Sequence, residues 1–448
     1  MTDATFLDEV RTLIAAHERE GIAGLSKRVG PADWVELVRR FDPAEVSLLV
    51  AWLPDEELPK VLAELGPVEA AGILRSLARS TAADVLEAMA PDDATDIVEA
   101  LPDAVAEQIL VQMEPVEAAE LRGLLAYPPE SAAGLMTPSF VAVLPEVRTD
   151  QAIAALRAVA AETDALYDVY VLDADDRLLG ALPLRELVLS PAERLVREVM
   201  RADPIRVRAE AEAETAAKLL RNHNLMSVPV VDAGDRLLGI VTVDDATDVL
   251  EAALVEDYLR QAGTDAEEMA RRNPFQIARL RLPWLLGTLV IELGAGLVIA
   301  RFDEVLTEVI LLASFMPVIS AVSGNVGLQA AAIVVRGLDS GHVTGDRWRR
   351  EVGRELATTL LMALVCGLTL GLVGAVWSRH LPFGLVIGGA MTCSMLTAGF
   401  MGTVIPMLSK RLGFDPATTA GPFETAFQDV VGFAVFLWLA SLLRDYLR

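Results

Sequence analysis

Residues 421–443 read GPFETAFQDVVGFAVFLWLASLL, a stretch that is apolar and long enough to cross a lipid bilayer as a helix. One residue does not fit that interpretation, because Asp429 lies roughly a turn and a half inside the start of the stretch. A carboxylate at the centre of a membrane-spanning helix costs roughly 2.5–3.5 kcal/mol. We therefore expect Asp429 to have a function there. The alternative is a carboxyl that only caps or pairs inside a helix bundle.

Four more apolar segments precede this one, and together they predict a transmembrane domain of five helices. Helix is the expected structure because lipid cannot satisfy free backbone N–H and C=O groups. The five segments comprise residues 283–301, 306–335, 354–378, 382–408 and 425–444.

Basic residues predict the orientation of these spans. They gather before the first span, between the second and third, and between the fourth and fifth, which places those three sides in the cytoplasm. Arg444 and Arg448 are the exception, because five spans put the C-terminal end outside. The residues that follow the rule are Arg271, Arg272, Arg279, Arg281, Arg347, Arg349, Arg350, Arg354, Lys410 and Arg411.

Charge is distributed unevenly along the chain. Residues 1–270 hold 52 of the 64 acidic and 23 of the 38 basic residues. This argues against nucleic-acid binding and points to cations as partners, although acidity that only keeps this part soluble is the alternative. The N-terminus, MTDATFLDEV, lacks the pattern of a signal peptide, so we expect this part to stay in the cytoplasm. Cys366 and Cys393 lie in apolar stretches and are expected to be buried hydrophobes.

A repeat occupies the N-terminal third of the chain. The motif LPD occurs at Leu53 and Leu101, and PVEAA begins at Pro67 and Pro115, with the same spacing of 48 residues. Prolines followed by acidic residues indicate helix starts. The pattern predicts an all-α superhelix of short stacked helices over residues 1–132.

A second repeat follows, with YVLDADDRLLGALPLRELV from Tyr170 and PVVDAGDRLLGIVTVDDAT from Pro229. Each copy has an amphipathic helix pattern before it and a hairpin inside it, which predicts a β-α-β-β-α unit twice. The pair resembles a tandem of CBS domains, the α+β Bateman module. We assign residues 133–199 to the first CBS domain and residues 200–250 to the second.

An acidic helix pattern continues from the second CBS domain. It predicts a connecting helix over residues 251–275, and the transmembrane domain then comprises residues 276–448. The expected protein is therefore a multidomain membrane protein with a superhelical N domain, tandem CBS domains and five transmembrane helices.

Polar residues interrupt the second span at Gly324, Asn325, Gly327 and Gln329. Such residues cost energy in an apolar span unless they line water or pack closely against a neighbour. Pro416, Gly421 and Pro422 are expected to loosen the start of the fifth span just before Asp429. Together these features predict a polar path through the membrane. Close helix packing alone is the alternative.

The chain resembles the MgtE magnesium channels, because the order of domains is the same throughout. The second-span motif MPVISAVSGNVGLQ and the loop DPATTAGPFETAFQD are similar to patterns of that family. The resemblance implies a homodimer in the bacterial plasma (inner) membrane, with the N-terminal domains in the cytoplasm and with Asp429 of each copy binding the ion in the pore. The residues expected to line the pore are Gly324, Asn325, Gln329, Gly421 and Thr425.

Magnesium suits such a site for a physical reason. Mg²⁺ is small, octahedral and slow to lose water, so a pore is expected to recognise the hydrated ion. Two Asp429 carboxylates, carbonyls near Gly421 and the Asn325 amide would accept hydrogen bonds from the water shell.

Acidic residues on two cytoplasmic helices predict a gate. Like charges repel when helices approach, and bridging divalent cations relieve that repulsion. We expect high internal Mg²⁺ to compact the domains and to draw the connecting helix across the pore, as the resemblance also implies. A solvated acidic face is the alternative. The predicted sensing residues are Asp92, Asp93, Asp96, Asp245, Asp248, Glu256 and Asp257.

Two further residues or motifs carry hypotheses. CBS pairs frequently bind adenine nucleotides, and Thr242 and Asp245 have the Thr-X-X-Asp spacing that suits a ribose, which predicts a site for ATP. Glu292 in the first span faces the pore, faces a dimer seam, or stays protonated in a packed site.

Three functions compete at this point. The favoured one is an Mg²⁺-selective channel for magnesium uptake that intracellular Mg²⁺ closes. A secondary divalent-cation transporter coupled to Na⁺ or protons shares the polar spans, with Glu292 as the proton carrier, and a membrane-anchored nucleotide receptor would move no ion. An enzyme is not expected, because the histidines are scattered and no phosphate-binding loop occurs. The expected partners are a second copy of the chain and membrane lipid, not nucleic acid.

Overall fold

The computed structural model describes residues 3–159, 166–261, 264, 273–339, 348–416 and 421–447. The chain divides into two compact units, Met1–Glu251 and Ala252–Arg448. The first unit contains the repeats and the second contains the apolar helices.

Ten short helices open the first unit, as the proline pattern predicts. Pro43, Pro67 and Pro91 each occupy the first position of a helix, whereas Pro102 is an N-cap and Pro54 lies in the turn before its helix. Buried leucine, valine and alanine side chains from successive helices form one continuous core. The helices are α1 (Asp3–Ala16), α2 (Arg19–Ser26), α3 (Pro31–Arg40), α4 (Pro43–Trp52), α5 (Leu58–Ala63), α6 (Pro67–Leu74), α7 (Arg79–Glu87), α8 (Pro91–Glu99), α9 (Asp103–Leu110) and α10 (Pro115–Leu124).

Two β-α-β-β-α units follow, which confirms the CBS interpretation. In each unit the first strand pairs parallel with the second, and the second pairs antiparallel with the third. The first unit contains β1 (Val141–Val143), α11 (Thr149–Val159), β2 (Asp168–Leu172), β3 (Leu178–Pro183) and α12 (Leu184–Leu189), and α13 (Val196–Val199) and β4 (Arg201–Ala202) follow it. The second contains β5 (Val207–Arg208), α14 (Ala213–His223), β6 (Ser227–Val231), β7 (Leu237–Thr242) and α15 (Val243–Gln261).

The two CBS units meet through equivalent elements. The hairpin tips bridge each other, since Leu178 N–H donates to Asp235 O and Leu237 N–H donates to Asp176 O. The Tyr170 hydroxyl lies 2.7 Å from Ser227 Oγ across the same junction. The repeat seen in the sequence is therefore also a repeat in space.

The second unit contains five helices that are long and apolar enough to cross a membrane. They are numbered here as the first to fifth spans: α16 (Pro274–Arg301), α18 (Leu311–Asp339), α19 (Trp348–Ser378), α20 (Leu381–Arg411) and α21 (Pro422–Leu442), with the short helices α17 (Asp303–Glu308) and α22 (Arg444–Leu447) beside them. The second span begins at Leu311, not at residue 306, because residues 303–308 form the separate helix α17. Of the predicted connecting helix, residues 251–261 continue α15, whereas residues 262–263 and 265–272 lie outside the described part.

Glycines bring the backbones of the third and fourth spans into contact. A Cβ atom on Gly388 would lie 2.6 Å from Gly367 O, and one on Gly371 would lie 2.8 Å from Gly384 O. No larger residue fits these positions without moving a backbone. In a lipid environment such small-residue contacts replace the hydrophobic effect as the means of holding helices together.

Charged side chains mark the two ends of this helical unit. Arg444 donates to both carboxylate oxygens of Glu308 and lies 3.5 Å from Glu304, so α17 and the C-terminal helix lie at the same end. Lys410 Nζ donates to Leu338 O at the ends of the fourth and second spans. The ion pair offsets the charge of Arg444, the residue that departs from the positive-inside pattern.

Candidate ion-binding sites

The Asp429 carboxyl lies where three spans meet. It sits two turns into the fifth span and is half-buried. Ser320 Oγ from the second span donates to Asp429 Oδ1 at 2.6 Å. Glu292 from the first span places its own carboxyl within hydrogen-bonding reach of Asp429. Glu292 therefore lies beside the carboxylate that is predicted to bind the ion.

Close packing of the second and fifth spans depends on Gly324. A Cβ atom on this residue would lie 3.4 Å from Thr425 Cγ2 and 3.7 Å from Gln428 Oε1. Gly324 and Thr425, both predicted to line a pore, therefore face each other within one chain. Gly421 is buried at the start of the fifth span, where its carbonyl accepts from Thr425 N–H at 3.3 Å.

Asn325 and Gln329 lie on a different side of the second span. Both are exposed, and they are one helical turn apart. The same helix directs Ser320 and Gly324 toward the fifth span, so the two amides do not share the side that contacts Asp429. Within the single chain the predicted pore residues therefore form two groups, and only one of them surrounds the carboxyl.

Gln428 and Ser323 are buried polar residues that the sequence analysis did not place among the pore residues. Gln428 Nε2 lies 3.5 Å from Ser394 Oγ, while Gln428 Oε1 and Ser323 Oγ have no hydrogen-bond partner among the described residues. Both flank residues that the sequence singled out, Asp429 and Gly324. Their polar character next to small residues in an apolar run was the available signal.

A second group of carboxyls lies in the first unit, between the helical repeat and the CBS module. Asp92 on α8 lies beside the Thr137 hydroxyl and interacts electrostatically with Asp244 at the start of α15. Asp93 interacts with Asp244 as well, and Asp245 interacts with both Asp92 and Asp93. We call these four residues, Asp92, Asp93, Asp244 and Asp245, the acidic interface.

Burial and mutual repulsion perturb the carboxyls of this region. Burial, followed by the neighbouring charges, raises the pKa of Asp93 and Asp245 to about 7. Burial and the charges of Asp92 and Glu99 raise the pKa of Asp96 to about 6. The pKa of Asp92 is raised mainly by burial. Because these pKa values lie near neutrality, the carboxyls of this region are not compensated by neighbouring positive charges among the described residues.

The sequence interpretation missed three members of this region. Asp244 adjoins the predicted Asp245, Glu64 repels Asp93 from another helix, and Thr137 lies in the MTP motif that opens the CBS module. Asp244 could have been found from the neighbouring acidic residues. Glu64 and Thr137 had no signal of their own, because only folding brings them to α8.

The remaining predicted sensing residues lie elsewhere on α15. Asp248 has its pKa raised by burial and by Glu251 and Asp244. Glu256 pairs with Arg260, whose Nη1 donates to Asp415 Oδ2 at 2.9 Å within the second unit. Asp257 interacts electrostatically with the same Arg260. Glu256 and Asp257 thus have a cationic partner in Arg260, which distinguishes them from Asp248 and from the described carboxyls of the acidic interface.

The predicted nucleotide residues contact each other. Thr242 Oγ1 donates to Asp245 Oδ2, and Thr242 is buried at the end of β7. Asp245 therefore belongs both to this pair and to the acidic interface. Among the residues that the structure describes, no three histidine, cysteine or acidic side chains converge tightly enough to hold a bare metal ion.

Comparison with known families assigns most of the chain. Residues 29–130 match the family described as the MgtE intracellular N domain, and residues 196–252 match the CBS domain family. Residues 316–439 match a family described as divalent cation transporter.

Individual relatives agree with these matches. The chain is 36% identical over 330 residues to the magnesium transporter MgtE of Enterococcus faecalis, covering 74% of this chain and 73% of that protein. It is 33% identical over 336 residues to the magnesium transporter MgtE of Thermus thermophilus, covering 74% of each. A crystal structure of the cytosolic domain of the Mg²⁺ channel MgtE in complex with ATP is similar with 29% identity and a TM-score of 0.53, covering 54% of this chain and 99% of that domain.

Proposed function

This chain belongs to the MgtE family of magnesium transporters, and from that premise we propose that it is an Mg²⁺-selective channel for magnesium uptake. We further propose that two copies form the channel in a bacterial plasma membrane, with the first unit in the cytoplasm. Binding of intracellular Mg²⁺ to the acidic residues would close it.

The observation that carries the proposal is the environment of Asp429. A carboxyl inside an apolar helix is retained at a cost only where it faces protein or water. Here it is half-exposed in the single chain, receives a hydrogen bond from Ser320, and lies against Glu292. In the described part of the spans, no basic side chain pairs with Asp429. This supports a bound cation as the positive charge that balances the carboxylate.

A hydrated ion fits this arrangement better than a bare one. No three acidic side chains converge there in the described residues of one chain, so a bare Mg²⁺ would lack the six oxygen ligands that it demands. Two Asp429 carboxylates facing each other across a dimer axis would instead accept hydrogen bonds from coordinated water. Asn325 and Gln329, exposed on the second span, would extend the polar surface for that water.

Growth rescue tests the transport function. A bacterium that lacks magnesium uptake would receive the wild-type gene, Asp429→Ala, or the exposed control Asp303→Ala. We expect rescue on limiting Mg²⁺ by the wild type and by the control, and none by Asp429→Ala at equal membrane expression. Rescue by Asp429→Ala would remove the pore assignment.

The acidic interface supports closure by internal Mg²⁺. Its carboxyls lie close enough to raise one another's pKa, so a bound divalent cation would offset their repulsion. An ion that binds one arrangement of the domains better than another shifts the population toward that arrangement. Patch recordings in which cytoplasmic Mg²⁺ leaves the current unchanged would refute this part of the proposal.

We also propose a nucleotide site at the CBS module, which two observations support. Thr242 and Asp245 are adjacent at the end of β7, in the arrangement that could accept the two hydroxyls of a ribose. The similar cytosolic domain noted above was crystallised with ATP. Calorimetry on the full chain should show heat on addition of ATP and none with Asp245→Ala, and absence of heat for the wild type would dismiss the site.

A proton-coupled divalent-cation transporter is the second candidate, and one observation favours it. Glu292 lies within hydrogen-bonding reach of Asp429, and a carboxyl pair of this kind can share a proton. Single-channel steps in patch recordings would decide for the channel, because a coupled transporter shows none.

A further inference from the structure

Glu292 is the acidic residue of the first span that the proposed transport mechanism leaves without a role. It is half-buried near the middle of the hydrophobic part of that helix. In the described part of the chain, only the fifth span packs extensively along the first. A Cβ atom on Gly294 of the first span would lie 3.5 Å from Val430 Cγ2 of the fifth. That contact fixes the rotation of the first span and brings the Glu292 carboxyl to Asp429.

The basic residues of the neighbouring helices are too distant to neutralise this pair. Arg281 precedes Glu292 by eleven residues and Arg301 follows it by nine, which corresponds to about 16 Å and 13 Å along the helix. Arg336 lies sixteen residues beyond Ser320, or about 24 Å. Ionised carboxylates only accept hydrogen bonds, so two of them in contact repel unless a positive charge lies between them.

Ser320 separates the roles of the two carboxyls. Its hydroxyl donates to Asp429 Oδ1, which orients that carboxyl and leaves the other oxygen for a ligand. The structure records no such donor for Glu292 in the described residues. The Asp429 carboxyl is therefore oriented by a hydrogen bond. Within the described helices, the Glu292 carboxyl is positioned only by Asp429 and by the contact between the first and fifth spans.

We propose that Glu292 is a specificity-determining residue of the Asp429 ion site, where it supplies the additional negative charge that makes the site take divalent rather than monovalent cations. The inference rests on the proposed transport function and deepens it. A negative charge attracts a doubly charged ion twice as strongly as a singly charged ion at the same distance. Loss of the Glu292 charge thus weakens Mg²⁺ binding more than Na⁺ binding and narrows the discrimination between them.

The test measures Mg²⁺ flux into proteoliposomes that contain the full chain and an Mg²⁺-sensitive dye. The half-saturating external Mg²⁺ concentration is determined once with Na⁺ and once with the large cation N-methyl-D-glucamine outside. For the wild type we expect the same value in both media. For Glu292→Gln we expect the half-saturating Mg²⁺ concentration in Na⁺ to rise by about tenfold, because Na⁺ then competes with Mg²⁺ for the site.

Two further variants control the comparison. Glu292→Asp keeps the charge and should keep resistance to Na⁺, with a half-saturating concentration within about threefold of the wild type in both media. Asp303→Asn removes a charge from the exposed helix α17 and should behave as the wild type. All variants are compared after they elute from gel filtration at the wild-type position.

The outcomes separate this inference from the proposed function. If Glu292→Gln behaves as the wild type in Na⁺ while Asp429→Asn abolishes flux, the role of Glu292 is wrong and the transport function stands. Equal loss of flux in Glu292→Gln and Glu292→Asp would show that packing, not charge, matters, and would also overturn the inference. Normal flux in Asp429→Asn would instead overturn the function on which the inference rests.

Discussion

The acidic interface of the first unit and the Asp429 site of the second place carboxyls under different constraints. In the first unit, Asp92 and Asp93 come from α8 and Asp245 comes from α15, and folding gathers them among like charges. In the second unit, Asp429 has a hydroxyl donor and a single acidic neighbour, Glu292, inside an apolar helix bundle. Among the described residues no basic side chain pairs with either group, but the first gathers four carboxyls and the second places two carboxyls side by side.

The difference matches the two roles that we propose for Mg²⁺ in this chain. A cluster of like charges responds to the concentration of a cation, because its repulsion is relieved only when the cation is bound. A small number of carboxyls at a fixed depth in the bilayer indicates a path for an ion, because each carboxyl costs too much free energy to occur there by chance. The following tests separate the two roles, beginning with the largest expected effect.

Removing one carboxylate from each region should affect different properties. Asp429→Asn should lower Mg²⁺ flux at low internal Mg²⁺ by about 100-fold or more, because a divalent ion loses its main attraction in the pore. Asp92→Asn should leave that flux unchanged and raise the internal Mg²⁺ concentration required for closure. Flux into dye-loaded proteoliposomes, measured at several internal Mg²⁺ concentrations, checks both. If Asp92→Asn lowered the open flux as Asp429→Asn does, the division of roles would be wrong.

Mg²⁺ should protect the acidic interface from local opening. At a concentration 100 times its dissociation constant, a ligand slows opening by about 100-fold. Hydrogen exchange of the full chain should therefore slow by up to that factor in α8 and in residues 243–251, and not in the third span. Asp245→Asn should reduce the protection, whereas Asp103→Asn, an exposed residue on α9, should not. Equal protection of the third span would show that Mg²⁺ acts elsewhere.

Raising the pH should destabilise the first unit in the absence of divalent cations. The folded carboxyls of Asp93 and Asp245 have pKa values of about 7 and that of Asp96 about 6, against an ordinary value of 3.8. The folded state therefore binds more protons than the unfolded state between about pH 4 and pH 7, and its stability falls as the pH rises through that range. We expect a loss of several kcal/mol between pH 5 and pH 8.

This pH dependence is measurable as the unfolding free energy of first-unit peptides in hydrogen exchange of the full chain with a chelator present. The double variant Asp93→Asn with Asp245→Asn should flatten the profile, and Asp103→Asn should keep it. A stability that rises with pH in this range would contradict the described environment of these carboxyls.

Removing the hydroxyl donor to Asp429 should have the smallest effect. Ser320→Ala leaves the carboxylate in place, and water can replace the hydroxyl because the site is partly exposed. We expect the half-saturating Mg²⁺ concentration to rise by about fivefold. Thr369→Ala is the matched control, because the Thr369 hydroxyl donates to Val365 O in its own helix. A loss as large as that of Asp429→Asn would mean that Ser320, not the carboxyl, controls the site.

Regular patterns in the sequence were sufficient for the architecture. The five apolar segments, the CBS repeat with its hairpins and the helical repeat are local features, and hydropathy or turn residues mark them in the chain. The boundary at the second span was wrong because apolar residues within α17 and in the break at residues 309–310 extend the hydropathy signal beyond the start of the span. Hydropathy measures composition, and it does not detect where a helix is interrupted.

The assembly of the sites required tertiary structure. Glu292 was visible as an anomaly in the sequence, but its position beside Asp429 depends on the rotation of the first span, which the contact with the fifth span sets. Glu64 and the buried Thr137 were not visible as parts of this site, because neither carries a local signal of its proximity to α8. The sequence by itself therefore determined which segments cross the membrane, which form the CBS domains and which carboxyl is out of place. Only the tertiary structure decided which side chains meet, because helix rotation and contacts between distant segments depend on packing and leave no periodic signal in the chain.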